Sequence, residues 1–229
     1  YSTLCLTLCL PKLYSKVSSR IFRNDWTHGI TKPIYGKLYE KRKTHAYRRV
    51  NASCANRTGQ QIDKELKKFA KGQIPWIHMN RKESKVIIEH LFEKNITLLD
   101  SGVTVWNGDS FNKRQTYSGT YIDLIGFDHI RRNYVVIEIK CTGKSINSII
   151  QENARASIDQ ESGFQKSEMG RNAAQVACST LFFRHTYPAV ICYPLLIICE
   201  LGIARVHSKE IKECFLQEQR FRGWLPGFT

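Results

Sequence analysis

"GTYIDLIGFDHIRRNYVVIEIKCTG", residues 119–143, sets an aspartate, a glutamate and a lysine inside two of the most strand-like runs in the chain. Asp123, Glu138 and Lys140 stand there among valines and isoleucines. Burying an ionised side chain costs several kcal/mol unless it is paired or binds a cation. Folding alone does not ask for this pattern; a site does. The runs 120–128 and 134–141 read as an antiparallel hairpin closed by "HIRRN". A turn centred between Ile130 and Arg131 sets Asp123 opposite Glu138, with Cβ atoms ~4.5–5.5 Å apart. Lys140, two residues beyond Glu138, shares its face, while Ile137 and Ile139 face the other way, into the core. Two carboxylates at that spacing repel each other, and a divalent cation between them removes the problem. Hard oxygen ligands suit Mg²⁺ or Mn²⁺. The plain alternative is a solvated outer face carrying a salt bridge, but "VVIEIKC" is too apolar on both sides of its charges for that.

Outward from the hairpin, hydrophobic period separates helices from strands. In "RTGQQIDKELKKFAKG" (57–72), Ile62, Leu66 and Phe69 fall at i, i+4, i+7 and Gly72 stops the helix. "RKESKVIIEHLFEKN" (81–95) is a second helix, and "ITLLDSGVTVWN" (96–107) a strand, bent at Ser101-Gly102. After the hairpin come helices at "NSIIQENARASID" and "EMGRNAAQVACSTLFFRH", strands at "AVICYPLLIICEL" and "IARVHS", and a last helix at "KEIKECFLQEQRF". The order α-α-β-β-β-α-α-β-β-α predicts an α/β fold, a central mixed sheet flanked by helices.

The 229 residues allow one fair-sized domain with an appendage, and no apolar run reaches the ~18 residues that span a bilayer. A net charge of +15 points to a polyanionic partner, most often nucleic acid. Residues 1–50 hold 11 Lys/Arg against two acids, so most of that charge sits at the front. The expected organisation is therefore a basic extension over 1–50 and a globular domain over 51–229. The extension reads as a targeting remnant, an arm on phosphate or a docking segment for a partner. Eight cysteines occur without a CxxC or Cys/His ligand spacing, which argues against zinc and for an intracellular, reducing compartment. Nucleus, mitochondrion and virus are equally compatible with that.

"YIDLIGFD…VVIEIKCTG" resembles the D-(x)n-E-x-K core of the PD-(D/E)XK nuclease superfamily, with Asp123, Glu138 and Lys140 in the motif positions. "RTGQQIDKEL" is similar to the Gly-x-x-(hydrophobic)-(His/Asp) helix before the core in RecB-like and lambda-exonuclease-like members. "GRNAAQVA" resembles the downstream helix of those members that carries a glutamine. The resemblance covers about 57–180, and it departs from the pattern where Tyr121-Ile122 replace the proline and Asp63 stands where many relatives have histidine. It implies a restriction-endonuclease-like core and metal-dependent phosphodiester hydrolysis on DNA, exonuclease-like. Asp123, Glu138, the Ile139 carbonyl and Asp63 would hold Mg²⁺ or Mn²⁺. Lys140 would hold the attacking water, with Glu65, favoured slightly over Asp63, adding a further carboxylate and Gln175 holding water or phosphate. Arg171 (one turn before Gln175), Lys144 and Arg57 are the candidate nucleic-acid contacts. Tyr117 and Trp106 could stack on bases, though core packing is the plainer reading. An RNA nuclease on the same core is the first rival. A silent subunit of an organellar or viral nucleoprotein assembly is the second, and intact Asp123, Glu138 and Lys140 speak against it.

Overall fold

Apolar residues alternate along the charged hairpin, and the sheet takes its two faces from them. The computed structural model describes residues 47–107 and 118–221, together with residues 28, 29, 34 and 38. Chain order runs β1 (His28–Gly29), α1 (Tyr47–Ala70), α2 (Lys82–Glu93), β2 (Ile96–Asn107), β3 (Ser118–Asp128) and β4 (Asn133–Thr142). It continues with α3 (Ile146–Arg155), α4 (Glu168–Thr186), β5 (Cys192–Glu200) and β6 (Arg205–Glu210). The strands form one mixed sheet in the order β1-β3-β4-β5-β6, with β2 also paired to β3. This is the expected α/β class.

Val135 and Ile137 point to a cluster shared with Ile62 and Leu66 of α1 and Ile87, Ile88 and Leu91 of α2. Val136 points to the opposite cluster, where Ile149 of α3 and Ala174, Phe182 and Phe183 of α4 pack. Helices therefore cover both faces, and β5, buried on both, reads as the unbroken apolar run "PLLIIC". β4 and β5 are parallel neighbours. The crossover that parallel pairing requires is α3 and α4. Each of those helices starts at a serine whose side chain accepts a backbone N–H, Ser145 from Ser148 and Ser167 from Gly170. Ser167 Oγ also donates to Asn153 Oδ1 at 2.6 Å, tying α4 to the end of α3.

The hairpin register matches the expected one: Leu124 opposes Ile137, and pairing runs on through Asp128–Asn133. Asp128 locks the turn. Its Oδ1 accepts from the backbone of Ile130 (2.9 Å) and Arg131 (3.0 Å), and its Oδ2 accepts from the Tyr193 hydroxyl at 2.7 Å. Burial alone would raise this carboxyl, but the Arg131 N–H, the Tyr193 hydroxyl, the Ile130 N–H and the Arg131 charge together hold it below its ordinary value.

Two expectations need correction. Residues 209–221 do not form a last helix; β6 runs on to Glu210, and two short 3₁₀ turns follow at Glu213–Phe215 and Glu218–Phe221. The buried residues there, Ile211, Leu216 and Phe221, are five apart, a spacing that puts no common face on an α-helix. The division at residue 50 fails as well. His28–Gly29 pairs in parallel with Ser118–Gly119, Ile34 and Leu38 are buried with the α3/α4 cluster, and α1 begins at Tyr47. The front of the chain thus contributes to the domain. Among the described residues no helix is long and apolar enough to cross a membrane.

Removing residues 1–46 takes away Ile34 and Leu38, each of which fills core volume. Unfolding of that shortened chain in urea is expected to show a loss on the order of 5 kcal/mol. Asp128→Ala leaves three donors without their acceptor and is expected to cost about 2–4 kcal/mol, whereas Tyr193→Phe costs about 1 kcal/mol. In the wild type the Asp128 contribution is present above the ordinary aspartate pKa and fades as pH falls through the depressed one.

Candidate active site

Backbone pairing between β3 and β4 stops at Leu124–Ile137. β2 pairs along the whole of one edge of β3, so β4 and β1 must share the other edge, β4 over 124–128 and β1 at 118–119. Between them lies a fork, and Asp123 sits at its apex. There the side chain replaces the missing ladder: Asp123 Oδ2 accepts the Ile139 N–H at 3.2 Å. Asp123 therefore comes level with Glu138 as the register implied, but through a carboxylate-to-backbone bond.

A cleft of about 290 Å³ opens at the fork, lined by Asp123, Ile139, Lys140 and Cys141 of the sheet and Asn56, Gly59, Gln60 and Asp63 of α1. Both faces of β4 reach it, so Ile139 is half-buried at the cleft wall. Asp63 is paired with Lys67 one turn on, at 2.8 Å. Glu138 lies deeper, only 2% exposed. Its Oε1 meets the Lys140 ammonium at 2.6 Å and accepts from Gln175 Nε2 of α4 at 2.7 Å. The Gln175 Oε1 is buried with no hydrogen-bond partner.

The electrostatics are those of a site under tension. Burial pushes the Glu138 carboxyl up to about 7; Lys140 opposes the rise, and the charges of Asp123 and Asp63 add to it. Burial likewise raises Asp123, against Lys140 and the Ile139 N–H. Two ammoniums, Lys140 and Lys67, do not neutralise three carboxylates. Among the described residues no three His, Cys, Asp or Glu side chains stand close enough to form a ready-made metal cage. The acids are held apart by the donors each has recruited.

Asp123, Ile139, Lys140 and Asp63 are thus brought to one cleft, with Glu138 and Gln175 directly behind Lys140. Glu65 is not: its carboxylate accepts from the backbone of Asn80 (3.0 Å) and Arg81 (3.2 Å) and from Ser84 Oγ (2.7 Å). It serves the start of α2, where free N–H groups attract an acceptor. The preference for Glu65 over Asp63 is therefore reversed by geometry, since the two sit on different sides of α1. Lys144 is also placed otherwise, clamped between Glu152 of α3 (3.3 Å) and Glu168 of α4 (2.9 Å). Arg57 is exposed on α1 outside the cleft lining, and Arg171 is buried in α4, one turn before Gln175. Tyr117 and the Trp106 side chain lie outside the described residues. Sequence reading missed Asn56, Gln60 and Lys67, although with Asp63 they recur at steps of four, three and four, the signature of one helix face.

A second cleft, of about 340 Å³, lies at the turn end of the hairpin beside Asp128, Arg131, Tyr193 and Glu210. There Arg131 pairs with Glu210 at 2.9 Å, and Asp128 is saturated by the turn. It is a structural corner.

No family model and no curated protein matches this chain. Among solved structures, one from Eubacterium rectale described as a candidate exonuclease is similar over 91% of this chain and 79% of its own, at 12% identity and a TM-score of 0.46. A likeness this slight has no bearing on the chemistry of the fork.

Glu138 yields a test of the tension. The unfolded chain loses this proton near the ordinary glutamate value and the folded chain only near 7, so stability falls as pH rises between them. Glu138→Gln cannot ionise and escapes that loss. Melting curves at pH 5 and pH 8 are expected to show the variant gaining on the wild type at the higher pH, by up to about 3 kcal/mol. A difference that does not change with pH would mean that Glu138 ionises freely in the fold.

Proposed function

We propose that the chain is a metal-dependent nuclease of the PD-(D/E)XK type that hydrolyses phosphodiester bonds, with DNA as the favoured substrate and an exonuclease-like mode of action. The observation that carries this reading is the fork itself. Half-buried Asp123, Lys140 and a third acid, Asp63 of α1, meet at an open cleft, with Glu138 buried just behind, paired to Lys140 and pushed up by burial and by the neighbouring acids.

The donor set fits a hard divalent cation. Mg²⁺ habitually takes only one or two protein carboxylates and keeps water and substrate phosphate in its other positions, so the lack of a three-acid cage is no obstacle. Asp123 and Glu138, with the Ile139 carbonyl and Asp63, would hold Mg²⁺ or Mn²⁺. Bound there, the ion would supply a water of lowered pKa and would offset charge developing on the phosphoryl group. The remaining roles belong to the chain. Lys140 holds positive charge beside the acids, where it can orient a water and stabilise developing negative charge. Gln175 fixes the Glu138 carboxylate from behind, its Nε2 donating to the Glu138 Oε1. Asp123, tied to the Ile139 N–H, keeps the fork open at a fixed angle. The net charge of +15 suits a polyanionic substrate held at the mouth.

The deciding assay offers single-stranded DNA, double-stranded DNA and RNA, in blunt, tailed and circular forms, with Mg²⁺ or Mn²⁺. Cleavage is expected on DNA with ends. Asp123→Asn and Lys140→Ala are each expected to lower it by on the order of a hundredfold or more while leaving the melting curve cooperative. Wild-type turnover in either variant would remove the fork from the chemistry, and cleavage of RNA alone would reassign the substrate.

A further inference from the structure

One feature of the cleft wall takes no part in hydrolysis. Cys141 of β4 and Cys199 of β5 are register partners in a parallel ladder, and both are free thiols. Their side chains share the α1/α2 face of the sheet. Neighbouring strands lie ~4.8 Å apart, inside the 4.4–6.8 Å span that a disulfide bridges between Cα atoms. The two positions differ in access. Cys141 lines the cleft beside Lys140, Asp123 and Asp63, whereas Cys199 is completely buried behind it. α1 closes over the pair at Gly59, where an added Cβ would stand 3.5 Å from the Cys141 Cβ.

We propose that Cys141 and Cys199 are an oxidisable dithiol in the wall of the cleft, closed to a disulfide by a peroxide-class oxidant. Cys141 is the attacking sulfur, since solvent reaches it through the cleft. Its thiolate attacks one peroxide oxygen and breaks the O–O bond, forming a sulfenic acid; the departing hydroxide takes up a proton to become water. Cys199 then loses its proton and attacks the Cys141 sulfur, and the sulfenic oxygen leaves as a second water. Two thiols and one peroxide thus give one disulfide and two waters, with two electrons passing from sulfur to oxygen. Resting on the nuclease reading, closure draws Cys141 toward β5 and shifts the strand end that carries Lys140. Cleavage is then expected to fall by on the order of tenfold to a hundredfold.

The test treats the full chain with hydrogen peroxide, blocks remaining thiols by alkylation and maps the peptides by mass. The expected product links the Cys141 and Cys199 peptides with the loss of two hydrogens, and dithiothreitol reverses it. In Cys199→Ala, Cys141 is expected to stop at the sulfenic acid and be trapped by dimedone; in Cys141→Ser, Cys199 is expected to stay reduced. Should either variant fail to melt cooperatively, the wild-type map decides alone. Cys141 and Cys199 both remaining reduced while the exposed Cys214 oxidises would overturn the proposal, as would linkage of either to another cysteine. Cleavage measured on the same samples separates the two readings. No cleavage even after reduction sinks the nuclease reading and leaves the linkage map standing. Equal cleavage by the reduced and disulfide forms overturns the inhibitory consequence.

Discussion

Everything at the cleft depends on one substitution of partners: the Ile139 amide donates to the Asp123 carboxylate where a strand backbone would otherwise take it. A buried amide needs an acceptor, so when β3 and β4 part company something must replace the ladder. A side chain that does so lets the strands diverge without leaving an orphaned donor. The divergence admits α1 from one side and exposes Lys140, while β1 recovers pairing further along β3 at Ser118–Gly119. Were backbone pairing to continue past Leu124, the fork would close, and with it the space between the carboxylates.

The rest of the molecule holds that fork at both ends. At the turn, Asp128 gathers two amides and the Tyr193 hydroxyl, so the hairpin register cannot slip by a residue without undoing all three. A one-residue slip would also turn Val135 and Ile137 from the α1/α2 core to the other face. At the open end, α1 brings Asn56, Gly59, Gln60 and Asp63 along one face, and Glu65, pointing elsewhere, pins α2 to the same helix. One helix thus supplies the cleft wall from one side and anchors its own neighbour from another.

The fold was largely legible from periodicity. β2 coincides with the strand expected at 96–107, and the hairpin register followed from the turn position alone, because short turns leave few pairings open. The last helix was misread because "KEIKECFLQEQRF" is rich in helix formers, while its buried residues obey packing against α4 and the 162–164 segment. The front of the chain was misread for a related reason: its charge is conspicuous in the sequence, and the isolated positions Ile34 and Leu38 that enter the core are not. Within the site, Asp123, Glu138 and Lys140 stood out as charges in apolar strands. Asp63 and Glu65 could not be told apart by type, since only the rotation of α1 against the sheet separates them, and that depends on contacts distant in sequence.

A salt bridge kept for stability alone would look different from this one. In such a pair each charge favours its partner's ionised form, and the carboxylate is pulled below its ordinary value. Asp128, with its amides and Arg131, has that character. Glu138 does not: despite an ammonium at 2.6 Å it is raised, because burial and the neighbouring acids outweigh the pairing. The fold therefore tolerates an unfavourable charge arrangement beside an open cleft when an apolar residue at position 138 would remove the cost. Two clusters in one sheet thus differ in the sign of their effect on a carboxylate: donors at the turn hold Asp128 down, whereas burial behind the fork, only 2% exposed, pushes Glu138 up.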